Sequence, residues 1–148
     1  MPFHIFTRIR IAAPQAAVWK VLTDFAAYPD WNPFVQQLTG KVAAGERITV
    51  HLPGMTFRPL VKAVVPDKEL RWLGYLGVPG LFDGEHQFLL EDNRDGTTTF
   101  IHSETFNGLL VPLFRASLLK KTKPGFEAMN TALKQRVEKY YETLISPL

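Results

Sequence analysis

The chain has 148 residues, 46% hydrophobic, 12% aromatic and 21% charged, with a formal net charge of +3 and no cysteine. That balance fits one globular domain, residues 1–148, long enough to bury a core, and it excludes disulfides, thiolate metal sites and a cysteine nucleophile. The low charge, with no strong basic stripe or binding motif, speaks against nucleic acid as a partner; no run of about eighteen apolar residues and no secretory signature occur, so we expect a cytoplasmic protein without stable membrane insertion.

Residues 3–11 alternate, with Phe3, Ile5, Thr7, Ile9 and Ile11 on one side, as a half-buried strand requires. Ala13 and Pro14 mark a helix start, and Val18, Val21, Leu22 and Phe25 follow at helical spacing. Asp24 is placed to cap a second short helix through Phe25 to Tyr28, which Pro29 helps to end. Trp31-Asn32-Pro33-Phe34 then reads as a compact aromatic turn.

Two strands, Val35 to Val42 and Arg47 to Leu52, join around Ala43-Ala44-Gly45. Thr56 to Val65 and Glu69 to Tyr75 form a further hairpin around Pro66-Asp67-Lys68, and Pro59 marks an edge strand or a bulge. Val78-Pro79-Gly80 is a loop.

The hairpin from Leu81 to Phe106 turns at Asp92-Asn93-Arg94-Asp95-Gly96. Pairing Glu91 with Thr97 sets Phe88 opposite Phe100, His86 opposite His102 and Gly84 opposite Glu104. Phe82, His86, Phe88 and Leu90 alternate with the more polar Asp83, Glu85, Gln87 and Glu91, so the face carrying the histidines is the inward one. Two histidines and a glutamate then sit among phenylalanines.

Leu109 to Phe114 leads into the terminal helix, where Pro112 suits a first turn and Pro124 predicts a kink or break near Lys120 to Lys123. Phe126, Met129, Leu133, Val137, Tyr140 and Leu144 line one face, and Lys134, Gln135, Glu138, Lys139 and Glu142 read as solvated. The apolar run with Arg115, Lys120, Lys121 and Lys123 reads either as packing of the crossover onto the sheet edge or as an apolar tip with a basic collar that touches a membrane.

The element order, the segment Asp24-Phe25-Ala26-Ala27-Tyr28-Pro29-Asp30-Trp31-Asn32-Pro33-Phe34, the strand motif His102-Ser103-Glu104-x-Phe106-x-Gly108 and Phe126-Glu127-Ala128-Met129-Asn130 in the helix together resemble the SRPBCC superfamily. The resemblance covers essentially the whole chain and is strongest to the polyketide cyclase and dehydrase-like branch, related to START lipid-transfer domains. It implies an α+β helix-grip fold: a curved antiparallel β-sheet wrapped around a long C-terminal helix, with two short helices after the first strand and a deep cavity between. No catalytic motif of an established cyclase is matched, and no cofactor is implied.

The expected ligand is a hydrophobic or amphipathic small molecule. His86, His102 and Glu104 either orient its polar end or bond one another and hold the hairpin. Phe82, Phe88, Phe100 and Phe106 supply apolar wall, with Trp31, Phe34, Trp72, Met129 and Leu133 as further lining candidates and Asn130 on the flank of the buried helix face. The alternative is a cyclase or dehydratase using His86, His102 and Glu104 as acid/base groups. Metal ligation by the three is disfavoured, because facing strands do not give a recognised ligand spacing.

Overall fold

A computed structural model describes residues 2–146. Strand β1 (Phe3–Ile11) is followed by helix α1 (Gln15–Leu22), a single 3₁₀ turn (Phe25–Ala27) and helix α2 (Tyr28–Trp31). Next come β2 (Gln37–Thr39), β3 (Thr49–Leu52), β4 (Met55–Phe57), β5 (Leu60–Val65), β6 (Glu69–Tyr75), β7 (Asp83–Asp92) and β8 (Thr98–Asn107). Helix α3 (Val111–Ser117), a π-helical turn (Leu118–Thr122) and helix α4 (Lys123–Ile145) complete the order. The α+β helix-grip architecture expected from the sequence is the one observed.

Five strands form the main antiparallel sheet in the order β1-β8-β7-β6-β5, and β2-β3-β4 form a smaller one. The two are stitched together where Arg47 bridges Leu60 and where Ile48 N–H donates to the Pro59 carbonyl at 3.1 Å. Sequence periodicity reads Thr56 to Val65 as one strand, but the chain breaks at Arg58-Pro59 into β4 and β5. Pro59 has no N–H for the ladder, so its two flanks go to different sheets. The strand expected over Val35 to Val42 is short for a comparable reason: Gly40, at φ 105°, ends β2.

Pro29 does not end the second short helix; it lies in the first turn of α2, where its missing N–H costs nothing. The Tyr28 side chain is fully buried and donates to the Leu22 carbonyl, fastening α2 beneath α1.

The central hairpin differs from the predicted register by two residues. Glu91 pairs with Thr99, so His86 faces Glu104, Phe88 faces His102 and Gly84 faces Phe106. A shift of two preserves the face of every side chain while changing each cross-strand partner. The inward face of the sheet therefore carries three rows: Leu70, Phe88, His102 and Thr7; then Trp72, His86, Glu104 and Ile5; then Gly74, Gly84, Phe106 and Phe3.

Helix α4 covers this face with Phe126, Met129, Leu133 and Val137, all fully buried, whereas Leu144 at the far end of the stripe is exposed. Lys134 and Glu138 are not simply solvated. Lys134 Nζ donates to the Arg10 carbonyl at 2.9 Å and Glu138 Oε2 accepts from Ala12 N–H at 2.8 Å, latching α4 to the end of β1. The break predicted near Pro124 takes the form of the π-helical turn, in which Lys123 N–H reaches back to the Leu118 carbonyl. Pro124 cannot continue the α-helical ladder, and a widened turn accommodates the gap.

Candidate functional site

A cavity of about 580 Å³ opens between the main sheet, the small sheet and the helical segment around the π-turn. Trp72, His86, Glu104, Phe106 and Phe82 come from the main sheet and its loop, Val50, Leu52, Met55 and Phe57 from the small sheet, and Phe114, Leu118, Lys121 and Gly125 from the helices. The wall is overwhelmingly apolar, and its deep polar feature is the His86–Glu104 pair.

Local sequence chemistry sets this shape. Asn32 Oδ1 accepts from the Phe34 and Val35 amides at 3.0 and 2.9 Å, and this side-chain turn aims Phe34 at the cavity. Gly125 leaves room for that ring, since a Cβ there would stand 2.7 Å from Phe34 Cδ1. Gly84 does the same for Glu104: an added Cβ would collide with carboxylate oxygen Oε2. Gly74 on β6, paired with Gly84, carries no side chain of its own, and Phe57 and Pro59 pack over it, each 3.6 Å from where a Cβ would stand.

Behind the wall runs a continuous polar chain. Thr7 Oγ1 donates to the His102 carbonyl at 2.7 Å and accepts from Asn130 Nδ2 at 2.8 Å. Asn130 Oδ1 lies 2.9 Å from His102 Nδ1, His102 Nε2 lies 2.8 Å from His86 Nε2, and His86 Nδ1 lies 3.1 Å from Glu104 Oε1. His102 stacks on Phe126 at 4.0 Å between ring centres and His86 on Trp72 at 5.1 Å, so each imidazole lies against an aromatic face.

The polarity of the chain follows from counting protons. The one Thr7 hydroxyl proton goes to the His102 carbonyl, so Oγ1 receives the Asn130 amide N–H, which turns Asn130 Oδ1 toward His102. His102 Nδ1 must then carry its proton. Burial, first, and the neighbouring His86, second, hold His102 well below the usual histidine value, against hydrogen bonds to Asn130 and the Phe126 backbone; the ring is neutral and its Nε2 is bare. His86 Nε2 is consequently a donor to it.

Of the residues proposed from sequence, Phe34, Trp72, Phe82, His86, Glu104 and Phe106 line the cavity. Phe88, Phe100, His102, Met129, Asn130 and Leu133 are buried in the packed interior behind it, and half-buried Trp31 packs edge-on against Tyr28. The reading of histidines that bond one another and Glu104 describes the observed contacts. Both rings have their nitrogens engaged, and among the described residues no cluster of three or more His, Asp or Glu side chains is arranged to hold a metal ion.

Thr7, Gly74, Gly84 and the small-sheet wall escaped the sequence reading. Thr7 was visible as the one polar residue on the inward side of β1, and Gly84 as a glycine inside a strand, a usual sign of close approach. At the cavity mouth the Leu109-to-Phe114 crossover divides: Val111 is fully buried and Phe114 packs edge-on against Phe82, while Leu109 and Leu113 project, 81% and 76% exposed. No helix among the described residues is long and apolar enough to cross a membrane.

Residues 2–138 match the family model described as polyketide cyclase / dehydrase and lipid transport. Among solved structures, Zhui aromatase/cyclase from Streptomyces sp. R1128 superposes with a TM-score of 0.79 at 16% identity, covering 99% of each chain. A START superfamily protein from Mycobacterium smegmatis gives 0.68 at 20% identity over 93% of this chain and 98% of that one. Norcoclaurine synthase from Thalictrum flavum, a point mutant with a transition-state analogue, gives 0.72 at 15% identity over 95% and 97%. At these identities the likeness is one of fold. No curated protein sequence matches the chain.

Proposed function

We propose, for a chain that belongs to the polyketide cyclase/dehydrase and lipid transport family, that the protein binds a hydrophobic or amphipathic small molecule in the cavity between the sheets and the terminal helix. The observation that carries this reading is the cavity itself: about 580 Å³, walled by aromatic and aliphatic side chains, with one polar pair at depth. Its size falls within the usual range for small-molecule sites, roughly 300–1,000 Å³. Each 100 Å² of ligand apolar surface withdrawn from water contributes on the order of 2.5 kcal/mol before the costs of association. Phe34, Trp72, Phe82 and Phe106 would hold the skeleton, and Glu104, backed by His86, would fix its polar end.

Native mass spectrometry of the purified protein, followed by denaturing extraction, tests this directly. A stoichiometric apolar adduct is the expected result. An empty protein whose melting temperature is unmoved across a broad panel of lipids, polyketides and aromatics would overturn it.

A second reading, cyclisation or dehydration of the bound molecule, is favoured by one specific feature: a carboxyl–imidazole pair on the cavity wall with a further imidazole behind it, a geometry suited to moving a proton. Glu104→Gln separates the two. In a carrier it changes affinity alone; in an enzyme it removes the acid/base group and lowers kcat by about 10²-fold or more.

A further inference from the structure

The proton count fixes what the cavity floor can say to a ligand. With His102 neutral and protonated at Nδ1, its bare Nε2 takes the His86 Nε2 proton. That leaves His86 Nδ1 facing Glu104 Oε1 at 3.1 Å, and a hydrogen bond there needs one proton between them. Two arrangements satisfy it: imidazolium with carboxylate, or neutral imidazole with a carboxylic acid whose proton sits on Oε1. Protonating Oε2 as well would leave an imidazolium 5% exposed with no counter-charge, which a buried site disfavours.

In both arrangements the outer oxygen, Oε2, carries no proton. It lies over Gly84, itself part of the cavity wall, and has no hydrogen-bond partner among the described residues. His86 lines the cavity too, but both of its nitrogens are committed.

We propose that the deep end of the cavity is a pure hydrogen-bond acceptor, Glu104 Oε2, so that the ligand is an apolar molecule whose inner end is an O–H or N–H donor: a phenol, an alcohol or an amine. This rests on the binding reading above and narrows it. A ketone, ester or ether oxygen at that end would bury lone pair against lone pair, and a carboxylate would add charge repulsion. The selection is set from behind the wall, since Thr7, on the strand next to β8, and Asn130, on α4, line no part of the cavity yet set the tautomers that leave Oε2 bare. A site that bonds a substrate hydroxyl rejects analogues lacking it far more strongly than an apolar pocket rejects a missing methylene.

Matched fluorescent probes test it at neutral pH: 1-hydroxypyrene, 1-aminopyrene, 1-methoxypyrene and 1-pyrenecarboxylate, titrated into the whole protein. The hydroxy and amino compounds should bind about tenfold or more tighter than the methoxy compound, the equivalent of a single satisfied polar partner, with the carboxylate weakest. In Glu104→Leu the hydroxy and methoxy compounds should converge. Glu104→Gln guards against a misfolded variant: its amide N–H replaces the shared proton toward His86, its carbonyl oxygen still faces the cavity, and the preference for donors should persist. Equal or tighter binding of the methoxy or carboxylate probe by the parent protein overturns the inference while leaving the cavity a binding site. Failure of every probe to bind overturns the binding reading, and this inference with it.

Discussion

His102 is the residue on which the polar chain turns. It is fully buried, neutral, and bonded on both nitrogens, so folding must strip it of any proton it carries when unfolded. Its folded value lies well below 6.5, so its contribution to stability is complete above about pH 6.5 and is lost progressively as pH falls below that, with a slope approaching 1.4 kcal/mol per pH unit. The carboxyls of Asp95 and Glu138, held below their ordinary value, add losses only at more acid pH. Urea unfolding at pH 7.5, 6.5, 5.5 and 5.0 should show this decline, and His102→Leu, whatever its baseline stability, should flatten it; an unchanged slope in the variant would mean that other groups carry the effect. Asn130→Ala should cost about 1–3 kcal/mol at neutral pH by removing both the Oδ1 acceptor beside His102 Nδ1 and the amide donor to Thr7 Oγ1, measured by the same unfolding. Gly84→Ala tests the neighbouring contact: its Cβ displaces the Glu104 carboxyl, so the preference of the cavity for donor ligands should disappear even where the skeleton still binds.

Among the elements, the helical segment from Val111 to Ile145 joins two jobs through the π-turn. Helix α4 supplies core, and α3 with the turn supplies cavity wall through Phe114, Ser117, Leu118, Lys121 and Thr122. A π-turn completes its rotation with one residue more than an α-turn, so deleting Lys120 should remove the widened turn while leaving α3 and α4 nearly in phase, and should displace the wall residues Leu118, Lys121 and Thr122. The expected outcome is a folded protein, judged by circular dichroism, with weakened ligand binding; unimpaired binding would show that the π-turn does not shape the cavity wall. Pro124 made this irregularity legible in the sequence, because an absent N–H is a local fact, but the form of the irregularity depends on what α3 packs against. The same division holds for the sheet. Strand parity predicted the inward face of β7 and β8 correctly despite a register two residues out, since alternation fixes a face and only tertiary contacts fix the partner. Hence His86, His102 and Glu104 were found together, while the residue directly opposite His86 is Glu104 where the predicted register put His102. Phe88, Phe100, Met129 and Leu133 were indistinguishable in sequence from cavity residues, because an apolar side chain looks alike against a ligand and against another side chain.

At the scale of the whole molecule, the cavity lies between parts of unequal firmness. One wall is the five-stranded sheet, ten-residue strands β7 and β8 paired along their length and covered by α4. The other is the three-stranded sheet, whose strands run three or four residues and whose junction with the main sheet is a bridge at Arg47 and Leu60 with a few backbone bonds beside it. Opening free energy tracks buried contacts and ladder length, so the small sheet should open locally well below the cost of global unfolding. Val50 is fully buried in the common core, but Leu52, Met55 and Phe57 keep part of their surface open to the cavity, so a bound ligand supplies packing that the empty protein lacks. Hydrogen exchange should therefore show β3 and β4 amides exchanging faster than those of β7 and β8 in the empty protein. Saturating ligand should slow β3 and β4 selectively; at 100 times Kd the gain available is about 2.7 kcal/mol, or about a hundredfold if the opening abolishes binding. Equal protection of the two sheets without ligand, or a ligand effect confined to β7 and β8, would show instead that the small sheet is a fixed wall and that entry runs through the mouth beside Leu113 and Phe114.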